Sequence, residues 1–396
     1  MRAFTEELLV LERASLQRSL RSLGTPQGVT VTTGNRPLLN FSSNDYLGLA
    51  AHPLVVEAMI AAVEKYGAGS GASRLVCGTL APHSELEETL ATIKGTEAAL
   101  SFSSGHAAAM GTLGAVLRPG DMAIVDRLSH ACLIDGARAS GATVRSFRHN
   151  DMAQLEERLV WAAARLPATG RTLVITEGIF SMDGDRAPLR AMADLTRRYR
   201  SLLLVDEAHS FGLCGPQGRG LAAACGVTDG VDLHLGTLSK AVGLAGGYVA
   251  ASRAAIDLII NRARSFIYST APPPALAATA TFVLREIFEG PLGAVLRDRL
   301  WTNVRQLGGA LPGREPSNEP ASAILPLILG SEEAALHAAG ALQEAGFLVP
   351  AIRPPTVPRG QSRLRLTLSA AHTSNQIDSL ISALQTLGPA IGRAHT

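Results

Sequence analysis

The sequence predicts an α/β fold, a mainly parallel sheet covered by helices on both faces, followed by a smaller α+β domain. Three observations predict it. Seven short, nearly continuous aliphatic runs, at 99–103, 122–126, 143–147, 172–176, 202–206, 233–236 and 247–251, have the composition of strands buried on both faces. Amphipathic stretches lie between several of them, such as 152–166 behind Asp151 and 189–199 behind Pro188. After Pro272-Pro273-Pro274 the pattern turns helical to about Leu311, and short strands and helices then alternate in a different rhythm. A chain of 396 residues exceeds the size at which one core stops growing, so two domains are expected. The expected boundaries are 1–50 for an N-terminal helix and short strand, 51–300 for the large domain, and 301–396 for the small one.

Each element has a local reason. Residues 6–23 read as a helix with Leu9, Leu16, Leu20 and Leu23 on one side, and with Arg18 and Arg21 together on another face. The run from Asn40 to Leu49 reads as a short strand breaking into a polar turn. Pro53 then opens a helix that carries Val56, Met59, Ile60 and Val63. Gly67-Ala68-Gly69-Ser70-Gly71 is a glycine-dense loop, and 84–94 is a helix burying Leu86, Leu90 and Ile93. In the small domain, strands are expected at 324–329, 347–352 and 363–369, with a helix at 332–345. A last helix starts at the capping box Thr373-Ser374-Asn375-Gln376 and buries Ile377, Leu380, Ile381 and Leu384.

Composition excludes several function classes. The chain is 46% apolar and 18% charged, with a net charge of +2, which argues against nucleic acid or an anionic membrane as the main partner. Cysteines 77, 132, 214 and 225 show no C-x-x-C spacing and are expected as reduced core residues of a cytoplasmic protein. No apolar run approaches a membrane span, and acidic residues interrupt the N-terminal stretch, so no signal peptide is expected.

The chemistry is legible at the strand ends, where open parallel sheets bind their ligands. The chain has only three lysines, Lys65, Lys94 and Lys240. Lysine, unlike arginine, can lose its proton and attack a carbonyl. Lys65 and Lys94 read as helix-surface cations. Lys240 follows the run Leu233-His234-Leu235-Gly236-Thr237-Leu238-Ser239, a strand ending in a turn, and has no such role.

Four other strand ends carry polar groups. Ser103-Ser104-Gly105-His106 leads into a helix of small residues, whose free N–H groups suit a phosphate. Asp126-Arg127-Leu128-Ser129-His130 delivers a histidine. The carboxylates of 176–185 lack the spacing of a Ca²⁺ loop, and no metal is expected. Asp206, directly behind a buried aliphatic strand, requires a cationic partner. Asp206-Glu207-Ala208-His209 also has the letters of a nucleic-acid motor motif, but no upstream phosphate loop with its lysine accompanies it. A phosphate cradle, an acid for a ring nitrogen and a Schiff-base lysine are together the parts that hold pyridoxal 5′-phosphate (PLP).

These motifs, with Ser43-Asn44-Asp45-Tyr46-Leu47-Gly48-Leu49, resemble those of the PLP-dependent α-oxoamine synthases, over residues 10 to 388. The resemblance implies fold type I, the aspartate aminotransferase-like fold. It implies that Lys240 carries the cofactor and removes the Cα proton, that Asp206 pairs with the pyridine nitrogen, and that His209 bonds the phenolic oxygen. His130 would stack on the ring; Gly105, His106 and Thr237 would hold the phosphate; Ser181 would lie near the ring oxygen. Thr270 would reach the phosphate of a neighbouring subunit, implying a homodimer with shared sites. Arg365 would clamp the amino-acid carboxylate, with Asn44 also on the substrate. Thr356 and Arg18 or Arg21 would line the acyl side.

The family often has an aromatic residue where this chain has His106, and Asp where it has Glu207, a change from which little effect is expected. The stretch Arg353-Pro354-Pro355-Thr356 points to the members that join L-alanine to a pimeloyl thioester, of coenzyme A or of an acyl carrier protein, in biotin biosynthesis. A sister enzyme acylating glycine or serine, a secondary-metabolism homologue, and a non-catalytic binding protein of the same fold are the alternatives.

Overall fold

The computed structural model describes residues 2–311 and 319–388. The chain divides into two compact units, a smaller one of Met1–Ala51, Ser181–Gly184 and Leu296–Thr396, and a larger one of His52–Phe180 and Asp185–Val295.

The larger unit is built on seven strands: β1 Ala98–Phe102, β2 Met122–Asp126, β3 Thr143–Phe147, β4 Thr172–Glu177, β5 Leu202–Asp206, β6 Leu233–Thr237 and β7 Gly247–Ala251. All seven expected strands form. Their order across the sheet is β1-β7-β6-β5-β4-β2-β3. The pairs from β6 to β3 are parallel, whereas β7 runs antiparallel to both β1 and β6. All residues of β1, β2, β4, β6 and β7 are buried, as the unbroken aliphatic runs require. The β6–β7 pair is close-fitting: Gly236 lies opposite Tyr248, and a Cβ there would meet the tyrosine ring at 2.5 Å.

The smaller unit holds two three-stranded sheets. In one, Thr30–Thr33 and Arg36–Asn40 form a hairpin that Phe347–Leu348 joins in parallel. In the other, Ser362–Thr367 lies between Ile324–Gly330 and Ala351–Ile352, antiparallel to both. The single strand expected at 347–352 is therefore two, serving different sheets, with Pro350 at the break between them. The last helix, Ser374–Thr386, has the expected capping box and buries Ile377, Leu380 and Leu384, while Ile381 is half-buried.

Three further expectations are corrected. The N-terminal helix ends at Arg13, and Ser15 takes a left-handed conformation (φ 55°). Beyond it the chain is irregular because Arg353 takes the carbonyls of Ser15 and Gln17, acceptors that a continuing helix would have used itself. Arg18 and Arg21 consequently share no helix face. Lys94 is not a surface cation but is 3% exposed, held by a buried carboxylate. Of the cysteines only Cys132 and Cys214 are buried; Cys77 is exposed and Cys225 half-buried. No helix among the described residues is long and apolar enough to cross a membrane.

Candidate active site

The carboxyl ends of β1, β2, β4, β5 and β6 surround a cleft of about 240 Å³ in the larger unit. Its lining includes Gly105, His106, His130, Asp206, His209, Thr237 and Lys240, so seven of the residues singled out in the sequence come together.

Each is positioned by its strand end. Behind β1, Ser104 caps the helix Gly105–Val116 by accepting the Ala107 N–H at 3.0 Å. The N–H groups of Gly105 and His106 lie in that helix's first turn, where no intrahelical acceptor exists. A Cβ on Gly105 would approach Thr237 at 3.4 Å, and one on Gly247 would meet the Gly105 nitrogen at 2.5 Å, so this corner is closely packed backbone. Thr237 Oγ1 donates to Gly246 O at 2.8 Å, fixing the turn that presents Lys240.

Behind β2, His130 caps the helix Ala131–Ala139. Its Nδ1 faces the Cys132 N–H at 3.3 Å and the Cys132 thiol at 2.9 Å, which assigns the ring proton to Nε2. Desolvation draws the His130 pKa below its ordinary value, against the raising influence of Asp206. Burial pushes the Cys132 thiol up to about 12, so it stays a neutral donor.

At the end of β5, Asp206 is 9% exposed and accepts the Ala208 N–H at 2.9 Å. Burial raises its pKa, and Lys240 acts in the opposite direction. An anion so placed is stabilised by a cation in the cleft. The next residue, Glu207, is fully buried and turned to Lys94 and His234.

The residues expected to meet the substrates lie in the smaller unit. Arg365, 5% exposed, donates from Nε to Ser181 O at 2.6 Å and from Nη2 to Asn44 Oδ1 at 3.1 Å, so these three are joined. Arg18 Nη2 donates to Pro354 O at 3.0 Å, beside the turn in which the Thr356 N–H reaches Arg353 O at 3.1 Å. Arg21 instead meets Gln343 at 2.6 Å, away from that turn. Thr270 does not line the cleft; it is exposed and bridged to Ser73.

Sequence reasoning passed over Glu177 and Cys132, which also line the cleft. Glu177 is the one charged residue of a strand that otherwise holds Leu173, Val174, Ile175 and two threonines, and that position was the available signal.

The cleft has what PLP requires: N–H groups for a phosphate, a buried carboxylate for a ring nitrogen, and a lysine behind the neighbouring strand. The family model for aminotransferase class I and II matches residues 36–384. An 8-amino-7-oxononanoate synthase of Anaeromyxobacter dehalogenans is 48% identical over 97% of this chain and 94% of its own. One of Geobacter sulfurreducens is 45% identical over 99% of both. The chain belongs to the 8-amino-7-oxononanoate synthase family, within aminotransferase class I and II. This family member is a PLP-dependent enzyme of fold type I. Among solved structures, serine palmitoyltransferase from S. paucimobilis, with PLP and myriocin bound, superimposes with a TM-score of 0.90 at 32% identity, covering 98% of each chain. An 8-amino-7-oxononanoate synthase from Francisella tularensis gives 0.73 at 27% identity, over 88% of this chain and 98% of that one. Backbone likeness thus extends across synthases of different substrates.

Proposed function

We propose that this enzyme condenses L-alanine with a pimeloyl thioester, releasing CO₂ and a thiol, to give 8-amino-7-oxononanoate for biotin biosynthesis. The observation that carries this reading is the 48% identity, over nearly the whole chain, to a synthase of that name. PLP, when bound, supplies an electron sink that stabilises negative charge at the amino-acid Cα.

The chain's residues do the rest. Lys240 Nζ would hold the cofactor and, as an amine, would serve as the base that takes the Cα proton and the acid that returns one to the product carbon. Asp206 would keep the ring nitrogen protonated, and its burial would strengthen that pairing. His209 would donate to the phenolic oxygen, with Ser181 on that side, and the His130 ring would stack on the cofactor ring. Gly105, His106 and Thr237 bind the phosphate. Arg365, already oriented by Ser181 and Asn44, clamps the amino-acid carboxylate. Arg18 and Thr356 bind the acyl substrate; the Arg18 contact to Pro354 favours it over Arg21.

The reading includes a homodimer. The apolar stripe of helix Pro53–Tyr66 is uncovered in the single chain: Val56 is 44%, Ile60 54% and Val63 41% exposed, with Val76 at 78% and Tyr268 at 73%. A second copy covering this surface would bring Thr270 to the partner's cofactor phosphate. Sedimentation of the purified enzyme tests this; a monomer at micromolar concentration rejects it.

Borohydride reduction and peptide mapping test the lysine: cofactor mass belongs on Lys240. Thiol release with alanine, glycine and serine, against pimeloyl-CoA and pimeloyl carrier protein, tests the substrates. A sister acyltransferase is the second reading, favoured by the 0.90 TM-score to serine palmitoyltransferase. A clear preference for serine or glycine would establish it.

A further inference from the structure

Three ionisable side chains in the interior of the larger unit have no part in the chemistry above. Glu207 and His234 are 0% exposed and Lys94 3%. Lys94 Nζ is paired with Glu207 Oε2 and also donates to Arg219 O at 2.7 Å. His234 Nδ1 donates to the same carboxylate oxygen at 3.1 Å, and the Ala222 N–H to the other at 3.1 Å. The Glu207 main chain extends the sheet, its N–H reaching Leu235 O at 2.8 Å.

Such a cluster is a poor source of stability, since desolvating two charges offsets most of their attraction. Its location gives it another use. Glu207 follows Asp206 directly, and successive side chains at a strand end point to opposite sides. Asp206 faces the cleft, and Glu207 faces away. Two adjoining anions in a medium of low polarity each oppose the other's ionisation. Burial pushes the Glu207 carboxyl up, but Lys94 and His234 more than reverse this and hold it at about 2, so the group is an anion. The other titratable groups that feel it are Tyr248 on β7 and Cys214, both raised by burial and uncharged, and Cys225, raised likewise.

We propose that Lys94 is a positioning residue that neutralises Glu207, leaving Asp206 as the anion whose charge acts on the cofactor. The proposal rests on the assignment of Asp206 to the ring nitrogen. It makes the charge balance of an interior pair, out of reach of substrate, a determinant of cofactor protonation.

The test is the pH midpoint of the visible absorbance of the bound cofactor, measured on purified holoenzyme without substrate. Three variants are compared: K94M, E207Q and the double K94M/E207Q. K94M leaves an uncompensated anion and moves the midpoint up by about 0.5–1 pH unit; E207Q leaves an uncompensated cation and moves it down by a similar amount. The double variant, again neutral, returns to within about 0.2 unit of wild type on the same principle. Should K94M not fold, E207Q against the double variant still decides. Shifts of the same sign in every variant, no shift in the single variants, or a double variant as displaced as they are would overturn the proposal. Failure of the underlying assignment is distinguishable: wild type and D206N would then titrate alike.

Discussion

The main-chain N–H of His130 donates to Glu177 Oε1 at 2.6 Å, linking the segment behind β2 to the end of β4. This bond fixes where His130 enters the cleft. A hydrogen bond to an ionised group contributes about 1.5–3 kcal/mol, so E177A should lower kcat/KM roughly 10- to 100-fold. E177Q keeps an acceptor oxygen and should lose much less. Steady-state kinetics on the two variants make the comparison, and equal losses would remove the bond from the account.

Arg365 offers a planar fork already oriented by Asn44 and the Ser181 carbonyl. Lysine keeps the charge but not the two parallel donors. R365K should raise KM for the amino acid about 10-fold or more, since charged hydrogen bonds contribute at least about 1.5 kcal/mol. The affinity of the apo-protein for PLP should be unchanged. A parallel loss of PLP affinity would point to a structural role instead.

His149 lies between Asp126, at 3.1 Å, and Asp185, at 2.7 Å. Burial works against its protonation, but the two carboxylates prevail and raise its pKa to about 10. The folded form therefore holds a proton that the unfolded chain releases near 6.5. The stabilisation is complete below pH 6.5 and is lost as pH rises through about 10. Wild-type Tm should fall across that interval, while H149Q should start lower and fall less. A Tm of H149Q parallel to wild type would contradict the assignment.

His372 shows the opposite sign. Buried between the Ser369 N–H and Asn40 O, and stacked on Phe41 at 4.2 Å, it has its pKa drawn down to about 4 by desolvation. The unfolded chain takes up the proton first, so this contribution is full above pH 6.5 and is lost as pH falls towards 4. Below about 4.5, loss of the Glu207 pairing adds to it. H372N should flatten the upper part of the acid profile while leaving the lower part, as Tm measured from pH 7 to 3 will show.

The sheet was legible because most strands are short aliphatic runs ended by a Gly-, Ser- or Asp-containing turn, a pattern that depends on local sequence alone; the edge strand β3 departs from it, with Thr143, Arg145 and Ser146 exposed. The cleft was legible for the same reason, since Gly105, His130, Asp206 and Lys240 each stand at such an end. What local pattern does not hold is the identity of a distant partner. Leu16 and Leu20 keep helical spacing with Leu9, yet Arg353, more than 330 positions on, removes the carbonyls that a helix needs. Lys94 has the position of a surface cation in the last turn of its helix, and only Glu207, 113 residues later, draws it inside. The stripe of helix Pro53–Tyr66 was read as apolar, yet Val56, Ile60 and Val63 are exposed in the single chain, which the local pattern does not foretell.

The placement of β7 between β1 and β6 has a consequence for how the protein is made. A ribosome releases β1 about 150 residues before the strand on which it must dock. Until then β1 has no neighbour for its ladder groups, and the corner where Gly247 meets Gly105 does not exist. The parallel strands β2 to β6 can pair as they emerge; the Gly105–Gly247 corner cannot. On the proposed phosphate-binding role of Gly105, cofactor capture would await the synthesis of β7, and a nascent chain truncated before Gly247 should emerge from translation without the cofactor.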